Sequence, residues 1–210
     1  MKEIIPYDGL EAALASLDNG GRFYNLLTHA GDDEIEPGEL ARVAGVFGDR
    51  QQMFLFLEMA LCGCSQGDRD AVTARLSDDL RAQWGEHTPQ VLAPSEADER
   101  GVAGGSAILT GFPRFVEDKT VFSGFIFVPI STGKTTTIMM IPIMDHFDVY
   151  ELTDEVSSQT AFVANVRGTA RLPVQRTRFG GILKETTRDK DGEERDRLFL
   201  EGVYLTHLED

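Results

Sequence analysis

Seven cations fall within 24 positions near the C-terminal end of an otherwise acidic chain. They are Arg167, Arg171, Arg176, Arg178, Lys184, Arg188 and Lys190, and Phe179 directly follows Arg178. Cationic side chains can hold a phosphate backbone, an aromatic ring can stack on a base, and glycines such as Gly180 allow close approach. The pattern therefore predicts a ligand-binding face formed by Arg171, Arg176, Arg178, Phe179 and Lys184. A solvated strand face, or one docked on acidic helices, explains the same charges and stays open as the alternative.

A second short pattern, Gly133-Lys134-Thr135, resembles the end of a phosphate-binding loop. That loop requires another glycine five positions before Gly133, where Val128 stands, and a helix after the lysine. Here an apolar, β-branched stretch follows instead. The residues therefore indicate a hairpin turn rather than a nucleotide site.

Two acidic stretches contain metal-ligand residue types. In the segment 31–40, Ile35 and Glu39 are spaced like the end of a calcium loop, but Thr28 and Ala30 then occupy two ligand positions, so too few oxygens remain. His146 and Asp148 fall on one face of an extended chain and could form half of a metal site. No second cluster completes it, so we expect a polar turn and no metal or cofactor.

Catalytic nucleophiles have equally little support. Cys62 and Cys64 lie in or just after an apolar helical stretch, where thiols are usually inert. Neither a Gly-x-Ser-x-Gly nor a His-Glu-x-x-His motif occurs. Whether the protein is an enzyme stays uncertain, and the sequence leans against it.

The N-terminal part of the chain reads as helices. Phe23, Leu26 and Leu27 mark a short helix, Pro37 stands at a first-turn position, and Asp49 precedes an almost wholly apolar helix over 53–62. A further helix opens at Asp68, with a four-residue stripe formed by Val72, Leu76, Leu80 and Trp84.

Beyond position 105 the pattern changes to strands, predicted at 106–110, 120–130, 135–144, 147–153, 160–166, 178–187 and 196–206. Asp189-Lys190-Asp191-Gly192 is typical of the turn between the last two. The hairpin over 121–152 is apolar on both faces and requires cover on both. Pro129 and Pro142 cannot donate to a ladder, so each is expected at a sheet edge or bulge.

These patterns predict an α+β fold: an acidic helical region over 1–92, a linker or long loop over 93–105, and an antiparallel β domain over 106–210. The β domain is a barrel or a sandwich, and an OB-like barrel is one candidate. Limited proteolysis is expected to cut first around 93–105.

Composition narrows the partners. The formal net charge is −15, and residues 1–90 carry seven cations against sixteen acids, so nonspecific coating of DNA by the whole molecule is disfavoured. No apolar run approaches the roughly 20 residues that a membrane-spanning helix needs. We therefore expect a cytoplasmic location and no membrane partner.

The sequence is compatible with three functions. The first is a non-catalytic interaction or adaptor protein, whose partner is another protein. The second is binding of single-stranded nucleic acid or another anionic ligand on the basic face of the β domain. The third is a small-molecule or metal-dependent enzyme with a pocket between the helical and β regions.

Overall fold

The computed structural model of the chain describes residues 1–19, 31–131, 136–154, 160–166, 171–186 and 197–208. For residues 117–131 and 136–146 it describes the course and pairing of the backbone. The fold is α+β, with a helical region followed by a barrel, which confirms the predicted fold class.

Six helices occur in the described residues: α1 (Leu10–Leu17), α2 (Pro37–Ala44), α3 (Arg50–Ala60), α4 (Gln66–Ala74), α5 (Asp78–His87) and the single-turn α6 (Ala97–Arg100). Side-chain caps set several of their starts. Asp49 Oδ1 accepts from the Gln52 amide at 3.0 Å, and Ser77 Oγ accepts from the Leu80 amide at 3.4 Å. Such caps satisfy amides that the first turn leaves without partners. None of these helices is long and apolar enough to cross a membrane.

Seven strands are described: β1 (Lys2–Glu3), β2 (Gln90–Leu92), β3 (Ser106–Ser131), β4 (Thr136–Thr153), β5 (Thr160–Val166), β6 (Thr177–Thr186) and β7 (Arg197–His207). Two pairs of predicted strands are therefore single long strands. Segments 106–110 and 120–130 both belong to β3, and 147–153 and the described part of 135–144 belong to β4. Irregular register near Phe115 and Phe122 lets β3 bend without ending.

Five of the strands close into a barrel. Strands β3, β4 and β5 form an antiparallel meander, β5 runs parallel to β7, and β6 pairs antiparallel with both β7 and β3. This order, with one parallel contact between the third and fifth barrel strands, makes the domain an OB-like barrel. The prediction of a barrel is thus confirmed, and a sandwich is not what forms.

The barrel and the helices share one wall. Strand alternation turns Leu109, Phe179 and Leu200 inward, where they form the barrel core. Ile108 and Tyr204 lie on the outer face and join the helical core around α3, whose residues 53–60 are all buried. The buried apolar helix predicted over 53–62 is confirmed, although α3 ends at Ala60. The structure adds that this helix packs against the barrel wall.

The β3–β4 hairpin extends well beyond the barrel. Thr120–Ser131 and Thr136–His146 pair with each other, and in the described residues neither segment has another ladder partner. We call this part the ribbon. Pro129 and Pro142 both lie in it, each on a strand with one free edge, which confirms the prediction of edge positions.

Other helical predictions need correction or lie elsewhere. The stripe from Val72 to Trp84 is not one helix: α4 ends at Ala74, and Ser77 caps α5 after an irregular turn. Leu76 in that turn forms a bridge with Ile35 instead. The helix predicted at 23–27 lies outside the described residues.

The segment 93–105, predicted to be a linker or long loop, contains a 3-10 turn at Pro94–Glu96 and then α6. Ala97 is 2% exposed and belongs to the barrel core. The Gly104 amide donates to the Leu183 carbonyl at 2.7 Å. The segment is thus hydrogen-bonded to the barrel, and the division of the chain into two domains stays a prediction.

Candidate functional site

Strands β4 and β5 present an outer face on the side of the barrel away from the shared wall. Tyr150, Leu152 and Val163 alternate inward and are fully buried. Their neighbours Glu151 and Phe162 are half-buried and alternate outward. The α-helices of the described residues contact β3, β6 and β7 instead, while the 3-10 turn at Pro94–Glu96 also reaches β4 and β5. The outer face of β4 and β5 is therefore the main sheet surface not covered by the described α-helices.

The strand register aligns five side-chain positions across all five barrel strands. Arg114 pairs with Glu151, Glu151 with Phe162, Phe162 with Phe199, and Phe199 with Lys184. We call these five residues the outer row. Neighbouring positions of one row lie about 5 Å apart. The row therefore places two phenylalanine positions side by side. Lys184 lies next to one of them, and Glu151 followed by Arg114 lies next to the other.

Ion pairs hold both ends of the outer row. Arg114 Nη2 contacts Glu151 Oε2, and Thr160 Oγ1 donates to the other oxygen, Glu151 Oε1, at 3.2 Å. At the far end Lys184 Nζ contacts Glu201 Oε2. The Arg114 side chain is 70% exposed and that of Lys184 is 52% exposed. Exposed pairs of this kind contribute little stability, so another anion can displace the carboxylates at small cost.

The aromatic member of the predicted face is not on the surface. Phe179 is 0% exposed and packs in the barrel core, because position 179 of β6 alternates inward. It therefore cannot stack on a ligand from outside. This part of the predicted site is wrong, and the outward rings on this barrel are those of Phe162 and Phe199.

The two β6 cations of the prediction lie far apart. Arg178 and Lys184 share the outer side of the strand, separated by about 20 Å of backbone at the usual rise. Arg178 Nε donates to Thr110 Oγ1 at 3.5 Å. Between them Gly180 lies under α3, where a Cβ atom would stand 3.1 Å from both Leu55 Cδ1 and Met59 Cγ. Helix α3 therefore divides the predicted basic strand face.

Arg171 lies at the barrel end rather than on its outer side. Its guanidinium carbon is 4.1 Å from the centroid of the Phe115 ring, a cation–π contact. Phe115 in turn packs edge-on against Tyr150, whose hydroxyl accepts from the Leu172 amide at 3.2 Å. Arg176 is exposed and has interactions of its own. Arg167, Arg188, Lys190, Gly168 and the turns at 132–135 and 189–192 lie outside the described residues.

One cleft lies within the helical region, and the pocket predicted between the helical and β regions stays a prediction. This cleft of about 420 Å³ lies among α3, α4 and α5, lined by Glu58, Arg69, Asp70 and Trp84 with other helical residues. Arg69 Nη2 contacts Glu58 Oε2 in its wall.

Reactive groups are sparse in the described part of the chain. Burial raises the pKa of the Cys64 thiol, which disfavours the reactive thiolate. No group of three or more His, Cys, Asp or Glu side chains among the described residues could hold a metal ion. The side chain of His146 lies outside them, so its pairing with Asp148 stays a prediction.

The outer row shows what sequence reasoning missed. Arg114, Phe162 and Phe199 were not singled out, because Arg114 and Phe199 are more than 80 positions apart and all three look ordinary in their own segments. Strand alternation would have assigned each to a face. Their alignment depends on the register of five strands, which local sequence does not encode.

Comparisons with known proteins are few. No protein family and no curated protein matches the chain. Among solved structures, it is similar to the N-terminal domain of an archaeal MCM, determined at 1.8 Å, with a TM-score of 0.39 and 12% sequence identity over 84% of each chain. A likeness of this size carries no argument about function.

Proposed function

We propose that the protein is a binding protein that holds single-stranded nucleic acid across the outer row of its OB-like barrel. The observation that carries the proposal is the placement of Phe162 and Phe199 side by side between Arg114 and Lys184. Stacking rings combined with flanking cations are the means by which OB-like barrels bind single strands without sequence preference.

The two ring positions provide stacking surface. Phe162 and Phe199 are half-buried, so each keeps part of its surface at the solvent side. Base–aromatic stacking is worth about 1–3 kcal/mol per base. Val166, 52% exposed on the same face, extends the apolar surface beyond the rings.

The cations supply the phosphate contacts by exchanging partners. Arg114 and Lys184 each lie against a glutamate on an exposed surface, where phosphate oxygens can replace the carboxylate. The exchange keeps each cation paired throughout. It also makes binding depend strongly on salt, because counterions leave the nucleic acid when its phosphates are neutralised.

The acidic helical region restricts where the ligand can lie. Residues 1–90 carry net charge −9, and the segment 104–210 carries −4. Repulsion from the helices favours the face of the barrel that points away from them. With only two cations in the outer row, binding is expected to be weak at physiological salt.

The test is fluorescence anisotropy with labelled 20-nucleotide dT and rU strands at several salt concentrations. We expect Arg114→Glu with Lys184→Glu to lower affinity at least tenfold at low salt. The slope of log affinity against log salt concentration should become shallower by about 0.7 for each phosphate that is no longer neutralised. Phe162→Ala with Phe199→Ala should weaken binding at all salt concentrations. Arg81→Glu is the matched control, since that side chain is also 52% exposed and ion-paired, but lies on α5.

Either of two results contradicts the proposal: a wild-type protein that binds neither strand, or outer-row variants that bind as tightly as Arg81→Glu. A protein partner is then the better candidate, as in an adaptor. Phe47 and Ile5 favour that second function, being 70% and 86% exposed although large and apolar. Capture of the same protein from nuclease-treated and untreated lysate, abolished by Phe47→Arg, would support it.

A further inference from the structure

The ribbon lies outside the closed barrel and, in the described residues, takes no part in its strand pairing. Thr120 to Ser131 span about 40 Å at the usual rise per residue. Within the described residues, the backbone ladder of the ribbon joins only its own two strands. Two-stranded hairpins are at best marginally stable in water, so an isolated one of this length requires another contact.

The sequence of the ribbon is almost devoid of charge. Between Val121 and Met144 the single charged residue is Lys134. Register pairs in its middle include Phe125 with Pro142, Ile126 with Ile141 and Phe127 with Met140. Consecutive pairs occupy opposite faces of a ribbon, so both faces carry apolar residue types. A run of apolar residue types of this length on a projecting ribbon is typical of an interaction site.

The prolines determine which part of the ribbon is available. Pro129 and Pro142 lie one on each strand, so each free edge lacks a donor at its proline. Proline on an edge strand disfavours pairing with a further strand. The contact that covers the ribbon is therefore expected on a face and not along an edge.

We propose that a face of the ribbon packs on the same face of the ribbon of a second copy of this chain, forming a two-fold symmetric dimer. One face holds eight apolar residues between Val121 and Met144, and burying about 60 Å² for each gives about 500 Å² per partner. The total of about 1,000 Å² is in the range of weak, reversible interfaces. A reversible dimer is what such an area supports, and a symmetric pair needs only one self-complementary surface.

Charge selects the relative direction of the two ribbons. Glu117, Asp118 and Asp145 stand at register positions where the ribbon leaves the barrel, with Lys119 as the one cation beside them. Ribbons stacked in the same direction would bring both acidic ends together. Ribbons stacked in opposite directions separate them by about 40 Å, several times the roughly 8 Å screening length at physiological salt. The dimer is therefore antiparallel.

The first experiment is sedimentation equilibrium over a range of protein concentrations. We expect the mass to rise towards twice the 23.2 kDa of one chain. Replacing residues 122–144 by Asn-Gly keeps the Val121–Asp145 pair and closes it with a two-residue turn. This variant should remain a monomer with an unchanged fold, read from its circular dichroism. A wild-type monomer at every concentration, or a shortened variant that still dimerises, would overturn the proposal.

Single cysteines test the direction. In a Cys62→Ser, Cys64→Ser background, an antiparallel dimer brings only the middle of each ribbon near its symmetry mate. Phe125→Cys or Ile126→Cys, one for each face, should therefore form an intermolecular disulfide under mild oxidation. Thr120→Cys and Ser131→Cys, at the two ends, should not. A disulfide at either end would show parallel stacking and refute the antiparallel arrangement.

Discussion

A single buried carboxylate gives the clearest residue-scale property of the helical region. Glu39 is 1% exposed; its Oε2 accepts from the Glu36 amide at 3.0 Å, completing the N-terminal cap of α2. Its Oε1 has no hydrogen-bond partner among the described residues. Burial, with Asp18 and Asp32 nearby, raises the pKa of this carboxyl above its ordinary 4.5.

The sign of that shift predicts how stability varies with pH. Because the folded state holds the Glu39 proton more tightly, its stabilising contribution is present at low pH and is lost as pH rises through the raised pKa. Glu39→Gln keeps an acceptor for the cap and removes the charge. We expect its melting temperature to exceed that of the wild type by about 2 °C at pH 7, with the difference vanishing near pH 4.

Thermal unfolding of both proteins across this pH range checks the prediction. Glu86→Gln is the control, since it removes a carboxylate from an exposed position of α5. An equal melting-temperature gain in the control, or a gain for Glu39→Gln that persists at pH 4, would refute the role of the buried charge.

At the scale of elements, barrel closure requires β6 and β7 to approach each other closely where their register shifts, between Gly180 and Gly181. A Cβ atom on Gly181 would lie 2.2 Å from the Glu201 carbonyl oxygen and 3.0 Å from Leu200 Cγ. Backbone cannot move away as a flexible side chain does. Glycine at this position therefore lets the two strands pair while the barrel turns its wall.

Gly181→Ala should accordingly destabilise the protein by about 2–3 kcal/mol or more, as overpacking against backbone does. Gly85→Ala is the matched control, because nothing lies within 4 Å of a Cβ atom at that exposed helical position. It should stabilise by about 0.5–1 kcal/mol. Urea unfolding of both variants provides the measurement. A neutral Gly181→Ala would mean that the strands are not so close in solution.

At the scale of the whole molecule, the helical and β regions share a core. Ile108 and Tyr204 belong to the barrel wall and are buried against the helical side, with Gly180 beneath α3. This shared core makes separation costly, although residues 93–105 remain the proposed boundary in sequence. Fully burying one large apolar side chain stabilises a fold by about 1.5–3 kcal/mol.

A fragment of residues 104–210 should therefore expose an apolar surface that the helices cover in the full chain. We expect it to bind a hydrophobic dye strongly and to unfold at a lower temperature than the full chain. Ile108→Ser with Tyr204→Ser in the fragment should reduce the dye signal. If the wild-type fragment is as stable as the full chain and binds no dye, the regions are independent domains.

Local patterns in the sequence determined much of this architecture. The apolar stretch at 53–60 specified a helix buried all round, and the shift to β-branched runs after position 105 specified strands, because burial and propensity act over a few neighbouring residues. Strand β5 falls at the predicted 160–166. The sequence also supplied the alternation that divides each strand into two faces.

Only the tertiary structure decided the register and the closure. Position 179 reads as a surface aromatic beside Arg178, yet the pairing of β6 with β3 and β7 turns it into the core. The outer row brings together Arg114, Glu151, Phe162, Lys184 and Phe199 from five strands. Such alignment depends on contacts between distant segments, whose pairing energy is a property of the closed barrel and not of any one stretch.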